Sequence, residues 1–485
     1  MILDYNYNPY KKDLTISYIT PTGGKKVIKK NVKRFKTFEL SPSGKYKNWD
    51  GSLCNEAWTE KPCTFDLKTF FEENLTRDEK TLLAGKQLPK LYTFDIETEI
   101  SDEFPEPSVA KFPITTISIA SPECNVIVLG TKELGVGGEE NLQKKLDEYM
   151  VRSEFFNELG LKKPYIKYVK FSRERDMLEY FLKEFVQKVP VLAGWNSIMF
   201  DWQYIQNRIK GYYGDLKFEC ASAVGTLTPK RYTDMKNNQV TLHMPNHTLI
   251  VDMMDVIANF DMVVMPIKES LSLDYIASEK VGLSKIKYDG DLQQLFETDY
   301  STYVFYNAID SILVQLIDKR FKTMNNIYAQ SLYCREKIGS CFSKIALAEA
   351  LFFNYFYSQN IKIVPINVWD RERGTLVGAY VAKPVPGLHK WVTCNDFASL
   401  YPSIIRTTNV SIENFVGSFY DEEALKPYKA NRKDYIVVGG TVYKNKGTEV
   451  KPELGDLVGA FLLEDELNRY RKNPNYFVSD RKSVV

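Results

Sequence analysis

Leu91-Tyr92-Thr93-Phe94-Asp95-Ile96-Glu97 is the stretch on which the fold turns. It reads as a β-strand, and residues two apart on a strand leave the same face, so Asp95 and Glu97 project together. Two carboxylates side by side repel each other unless cations lie between them; taken alone, the pair reads first as a solvated strand end. After a loop, Ile114-Thr115-Thr116-Ile117-Ser118-Ile119-Ala120 reads as a second strand. The stretch from Glu174 to Phe185 has helical apolar spacing and precedes another buried strand, Val189-Pro190-Val191-Leu192-Ala193-Gly194-Trp195. Strands alternating with helices predict an α/β domain over residues 91–325.

Outward from this centre, 485 residues exceed what one hydrophobic core usually organises, which predicts two to four domains. With 44% hydrophobic and 26% charged residues the chain is an ordinary globular one, not a disordered or low-complexity one. The net charge of +2 excludes a whole-protein basic field, so any contact with nucleic acid must come from local patches. Seven scattered cysteines without a Cys-x-x-Cys pair favour free thiols in a reducing compartment over disulfides or zinc. The start, Met1-Ile2-Leu3-Asp4-Tyr5-Asn6, has no signal-peptide pattern, and no apolar run approaches membrane-spanning length. A cytoplasmic protein without a membrane partner is the expectation.

Residues 1–90 mix strand-like runs such as Leu14–Ile19 with turns such as Pro21-Thr22-Gly23-Gly24, predicting a small N-terminal domain. Residues 326–366 are helical around Ile345–Phe353 and are read as returning to that domain. Glycine and proline between Arg373 and Gly387 mark a junction, after which the strand Trp391–Phe397 opens a third unit over 367–462. A charged amphipathic helix is expected over Leu457–Tyr470.

Asp95 and Glu97 do not stand alone. Asn196-Ser197-Ile198-Met199-Phe200-Asp201 follows a buried strand, where α/β folds present functional groups. In Tyr306-Asn307-Ala308-Ile309-Asp310 a spacing of four puts Tyr306 and Asp310 on one helical face. Asp-Ile-Glu, Asn-x-x-x-Phe-Asp and Tyr-x-x-x-Asp, in this order, resemble the three exonuclease motifs of family B DNA polymerases. Phe171–Leu178 and Gly194-Trp195-Asn196 look like stretches of T-even-type phage members of that family. The resemblance implies a ribonuclease H-like 3′→5′ exonuclease domain that hydrolyses the terminal phosphodiester at a single-stranded DNA 3′ end. Asp95, Glu97, Asp201 and Asp310 would hold two divalent cations about 4 Å apart, and oxygen-only ligands select magnesium or manganese. The family's role for the tyrosine, orienting water, falls to Tyr306; Asn196 and Phe200 are DNA-contact candidates. Asp252 and Asp255 are read as supporting acids, not ligands. The turn at Lys236-Asn237-Asn238-Gln239 resembles the family's hairpin that parts primer from template.

Asp396-Phe397-Ala398-Ser399-Leu400-Tyr401-Pro402-Ser403-Ile404-Ile405-Arg406 matches the first palm motif of the same family almost residue for residue. This assigns a metal carboxylate to Asp396, nucleotide contacts to Ser399 and Leu400 through backbone amides, and a steric gate against a 2′-hydroxyl to Tyr401. Gly378 and Tyr380, in Gly378-Ala379-Tyr380, resemble the segment that contacts template between exonuclease and palm. The family's Lys…Asn-Ser-x-Tyr-Gly fingers motif and Asp-Thr-Asp turn do not occur in these residues. The overall expectation is therefore an α/β, multidomain N-terminal portion of a phage-type replicative polymerase: N-terminal domain, exonuclease, partial palm, and over 463–485 the start of the fingers helix. A primer-template would be its DNA, and deoxynucleotides with one or more further ions would bind only once a second polymerase chain completes the palm. A split polymerase, a truncated gene and an incomplete polypeptide all remain open, as do a stand-alone 3′→5′ exonuclease and an inert DNA-binding subunit.

Overall fold

The strand expected around Asp95 runs over Leu91–Thr98 and lies inside a six-stranded sheet. The computed structural model describes residues 1–49, 51–99, 103–214, 219–233, 237–260, 270–288, 290–365, 383, 385–390, 399–407, 409, 414–419, 421–438 and 440–445. They divide into two units: Met1–Phe38 with Glu56–Asn360, and Glu39–Asn55 with the residues from Ile361 onward.

In the first unit the sheet order is Ile166–Lys170, Val126–Gly130, Ile114–Ala120, Leu91–Thr98, Val191–Gly194, Leu249–Asp252. Leu91–Thr98 pairs antiparallel with Ile114–Ala120, which pairs antiparallel with Val126–Gly130; the other pairings are parallel. Strand alternation sorts the central residues. Phe94 and Ile96 are buried on one face among Phe181, Trp202 and Ile205. The opposite face carries Thr93, Asp95 and Glu97 and meets the long helix Tyr300–Phe321.

That helix forms because the side chain of Asp299 accepts from the Thr302 N–H at 3.0 Å, capping its first turn, and it ends where Lys322 turns left-handed at φ 54°. Tyr303, Val304, Ala308, Ile312 and Leu316 are buried along it. Hydroxyls fix it on the sheet: Thr93 Oγ1 donates to the Ser311 carbonyl at 2.7 Å, and Ser118 Oγ to the Asn307 carbonyl at 2.8 Å.

Two sequence expectations shift in detail. The helix beginning at Glu174 is α-helical only to Phe181 and widens into a π-type turn over Leu182–Val186. The following strand starts at Val191, not Val189, because Pro190 has no N–H to give to the ladder.

Ile2–Asn8, Asp13–Ile19 and Lys25–Asn31 form an antiparallel sheet with Asp13–Ile19 in the middle. A buried polar latch joins it to the loop before Leu249. His247, at φ 65° and fully buried, places Nδ1 2.8 Å from Ser17 Oγ and Nε2 2.8 Å from Thr15 Oγ1. Its N–H donates to Asp4 at 3.0 Å and its carbonyl accepts from Lys25 Nζ at 2.7 Å. Burial pushes the imidazole down to about 4, so the ring is neutral at physiological pH. His247→Ala leaves the two hydroxyls without their ring partners, and a loss of about 1–3 kcal/mol is expected. The check is a lower urea midpoint at unchanged slope.

Residues near 336 contact the same region: Glu336 accepts from Tyr5 OH at 3.0 Å and pairs with Lys68 at 2.5 Å. In the second unit, Thr441–Lys444 lies between Phe415–Ser418 and Tyr435–Val438 in an antiparallel sheet beside helix Glu422–Ala430. The expected strand Trp391–Phe397 and helix Leu457–Tyr470 lie outside the described residues. Among the described residues no helix is long and apolar enough to cross a membrane.

Candidate active site

Three of the four predicted acids converge. Asp95 and Glu97 from the strand and Asp310 from the long helix each bring a carboxylate oxygen within 4.8 Å of the others. Asp95 and Glu97 are half-buried, whereas Asp310 is 2% exposed, so the cluster is open on its strand side. Asp201 stands beside this group: its Oδ1 accepts from the backbone N–H of Ile96, the residue between Asp95 and Glu97, at 3.0 Å. The arrangement is therefore three plus one, with Asp201 tied to the strand by one oxygen.

Local sequence puts Asp201 there. A Cβ on Gly194 would come within 2.5 Å of Ser197 Cβ and 2.9 Å of the Phe94 carbonyl oxygen, so only glycine permits this close turn. Asn196 turns left-handed at φ 56°, and Asp252 accepts from the N–H groups of Asn196 at 3.0 Å, Ile198 at 3.2 Å and Met254 at 3.1 Å. Asp252 thus organises the turn. A π-type turn over Ile198–Trp202 then points Asp201 inward, and Gln203–Tyr213 continues as α-helix. Asn196 is exposed at this turn and Phe200 is half-buried.

Electrostatics mark the cluster as strained without cations. Burial first, and then the charges of Asp201, Asp310 and Glu97, hold the Asp95 carboxyl well above the usual carboxylate range. Burial and the charge of Asp310 push Glu97 up to about 8. Burial raises Asp201 to about 7 against the opposing hydrogen bond from Ile96. Asp310 is raised by burial too, although a nearby lysine counteracts it.

That lysine, Lys285, is a candidate site residue that sequence reasoning did not single out. Its Nζ lies 2.5 Å from Asp310 Oδ2 and 3.3 Å from Tyr306 OH, and 5.3 Å from the centre of the Tyr306 ring. The backbone N–H of Lys285 donates to Asp274 at 2.6 Å, which fixes the loop that carries it. Burial alone would lower the ammonium; the charge of Asp310 outweighs this and keeps it a cation. Nothing in Ser284-Lys285-Ile286-Lys287-Tyr288 distinguishes it from a solvated charge. Tyr306 sits beside Asp310 as expected, and burial and that carboxylate keep it a phenol.

The donor set suits a hard divalent cation. Asp310 Oδ1 is buried with no hydrogen-bond partner among the described residues, and every candidate ligand atom is a carboxylate oxygen. Phe104 is 73% exposed, with its ring 6.1 Å from that of Phe200, the residue before Asp201. Strands Leu227–Thr233 and Gln239–Pro245 pair as a ribbon. Trp202 Nε1 donates to the His243 carbonyl at 3.2 Å, and the His243 N–H donates to Gln206 at 2.7 Å. The ribbon is thereby fixed to the segment that carries Asp201.

In the second unit Ser399 is left-handed at φ 53°, Leu400 begins the helix Leu400–Thr407, and Tyr401 is 73% exposed. Asp396, Gly378 and Tyr380 lie outside the described residues.

A mixed sheet backed by a long helix, with acids gathered where strand and helix meet, defines a ribonuclease H-like exonuclease fold. The family model described as DNA polymerase family B, exonuclease domain, matches residues 27–276, and the one described as DNA polymerase family B matches residues 343–462. The chain belongs to DNA polymerase family B. It is 33% identical over 357 residues to the DNA-directed DNA polymerase of Escherichia phage RB69, covering 68% of this chain and 36% of that protein. It is 31% identical over 253 residues to the DNA-directed DNA polymerase of Enterobacteria phage T4, covering 52% of this chain and 28% of that protein. With the DNA polymerase 1 of Sulfurisphaera ohwakuensis it shares 25% identity over 353 residues, 67% of this chain and 35% of that protein. The chain thus spans about a third of the length of these relatives.

Proposed function

We propose that this chain is the exonuclease-bearing part of a phage replicative DNA polymerase and removes nucleotides from DNA 3′ ends. The observation that carries this is the convergence of Asp95, Glu97 and Asp310, with Asp201 alongside, next to a lysine–tyrosine pair. Asp95, Glu97, Asp201 and Asp310 would hold two magnesium or manganese ions, which supply water activation and stabilisation of the leaving 3′ oxygen.

The chain's own groups do the rest. Lys285 donates to the Tyr306 oxygen, so the phenol's single proton is free to donate to the attacking water or a phosphate oxygen. The Lys285 ammonium neutralises negative charge gathering beside Asp310. Phe104 and Phe200 offer stacking for the terminal bases of a single strand, and exposed Asn196 a polar contact. The ribbon anchored at His243 would help to part primer from template. Asp396 with Ser399, Leu400 and Tyr401 would bind metal and deoxynucleotide in a palm. The Asp-Thr-Asp carboxylates do not occur in these residues, so primer extension would need a segment that carries them, on the same polypeptide or on another. Residues 1–90 with 326–366, 91–325 and 367–462 would act as N-terminal domain, exonuclease and partial palm, and residues 463–485 as the start of the fingers helix, in the host cytoplasm.

The test is magnesium-dependent digestion of single-stranded DNA from its 3′ end by the purified chain. No digestion above that of Asp201→Ala and Asp310→Ala would refute the assignment. Lys285→Ala is expected to lower the single-turnover rate by about 10- to 1000-fold. Manganese affinity should be held or rise, since the lysine is not a ligand and its ammonium competes for Asp310; a loss of affinity equal to the loss of rate would exclude Lys285 as a partner of Tyr306 in the chemical step.

A further inference from the structure

Asn307 lies one residue after Tyr306 and three before Asp310, and is fully buried. Its Nδ2 donates to Asp95 Oδ2 at 2.8 Å, while its own Oδ1 is buried with no hydrogen-bond partner among the described residues. An amide turned the other way would set oxygen against oxygen, so the orientation is fixed by Asp95. Leaving a buried carbonyl oxygen unpaired is unfavourable, and a leucine of similar size would avoid it. The compensation is the hydrogen bond to the Asp95 carboxyl.

The base from which this bond is made is rigid. Ser118 Oγ donates to the backbone carbonyl of Asn307 at 2.8 Å and lies 2.6 Å from Ser311 Oγ, and Thr93 Oγ1 donates to the Ser311 carbonyl at 2.7 Å. Thr93 and Ser118 belong to the strand that carries Asp95 and to its neighbour, with Asp95 paired directly to Ser118. Helix and strand are thus pinned on both sides of the Asn307–Asp95 contact.

We propose that Asn307 is a positioning residue for the metal centre: it holds one oxygen of Asp95, fixes the rotation of that carboxylate, and leaves the second oxygen for a divalent cation. An N–H can only donate, so the Asp95 oxygen that it meets is held as an acceptor at a fixed position. Outer partners of this kind orient metal ligands and their removal weakens binding by about 10- to 100-fold. The inference rests on the reading of the acid cluster as a metal site.

Manganese titration of the full chain, followed by the paramagnetic resonance signal of free Mn²⁺, provides the test. Asn307→Ala is expected to weaken Mn²⁺ binding by about 10- to 100-fold while the far-ultraviolet circular dichroism in chelator stays that of the unaltered chain. In an Asp95→Ala background the same change should cost less than about twofold, because Asn307 acts through Asp95. Should the alanine variant fail to fold, Asn307→Leu, which keeps the volume, carries the same comparison. Wild-type affinity in the variant, or an undiminished loss in the Asp95→Ala background, overturns the proposal. Absence of Mn²⁺ binding by the unaltered chain would remove the metal-site reading itself, and the proposal with it.

Discussion

Asp310→Ala is expected to abolish digestion of a DNA 3′ end, lowering the rate by about 1000-fold or more, and Asp201→Ala to do nearly the same. Groups that act as one unit give losses that do not add, so the double variant should be little worse than either single one. The two residues fail for different reasons. Asp310 removes a carboxylate from the cluster itself and strands Lys285 without its partner. Asp201 also releases the Ile96 N–H, the backbone point between Asp95 and Glu97. Single-turnover digestion of a labelled oligonucleotide measures both. Either variant retaining a tenth of the wild-type rate would exclude that acid from the centre.

The second large effect is a reversal of pH dependence by metal. Folding raises the carboxyls of Asp95, Glu97, Asp201 and Asp310 above their ordinary range, with Glu97 at about 8 and Asp201 at about 7. Between roughly pH 4 and 8 the metal-free fold therefore binds more protons than the unfolded chain, and its stability falls as pH rises through that window. Divalent cations bind the deprotonated carboxylates, so their affinity rises over the same range. One proton each from Glu97 and Asp201 predicts an affinity loss on the order of 100- to 1000-fold between pH 8 and pH 6. The melting temperature in chelator should fall from pH 5 to pH 8, and the increment given by magnesium should grow. A melting temperature that climbs with pH in chelator would mean that the acids are not packed against one another.

How much of this was legible in the sequence depended on periodicity. The strand Leu91–Thr98 and the helix around Tyr306 declare themselves because alternation and fourfold spacing are local properties. They place Asp95 with Glu97 and Tyr306 with Asp310 before any long-range contact is known. The palm string likewise carries its own context, and Ser399 and Leu400 do form a turn leading into a helix. Lys285 was illegible because its meaning lies in a contact 25 residues away along the chain with Asp310. Asn307 was hidden inside a motif whose ends drew the attention, whereas Asp252, read as a supporting acid and not a ligand, accepts from three backbone N–H groups and supports the turn. The early end of the helix from Glu174 escaped as well, since a π-type turn has no propensity signature of its own.

The alternation of Phe94 and Ile96 against Asp95 and Glu97 carries one last consequence. If Leu91–Thr98 slipped by a single position against its neighbours, both acids would be driven into the layer of Phe181 and Trp202, and two apolar side chains would face the cleft. Such a slip would break the apolar layer and disperse the acid pair in the same event. Core packing and the placing of the two acids are therefore set by one and the same register, and neither can be kept while the other is lost.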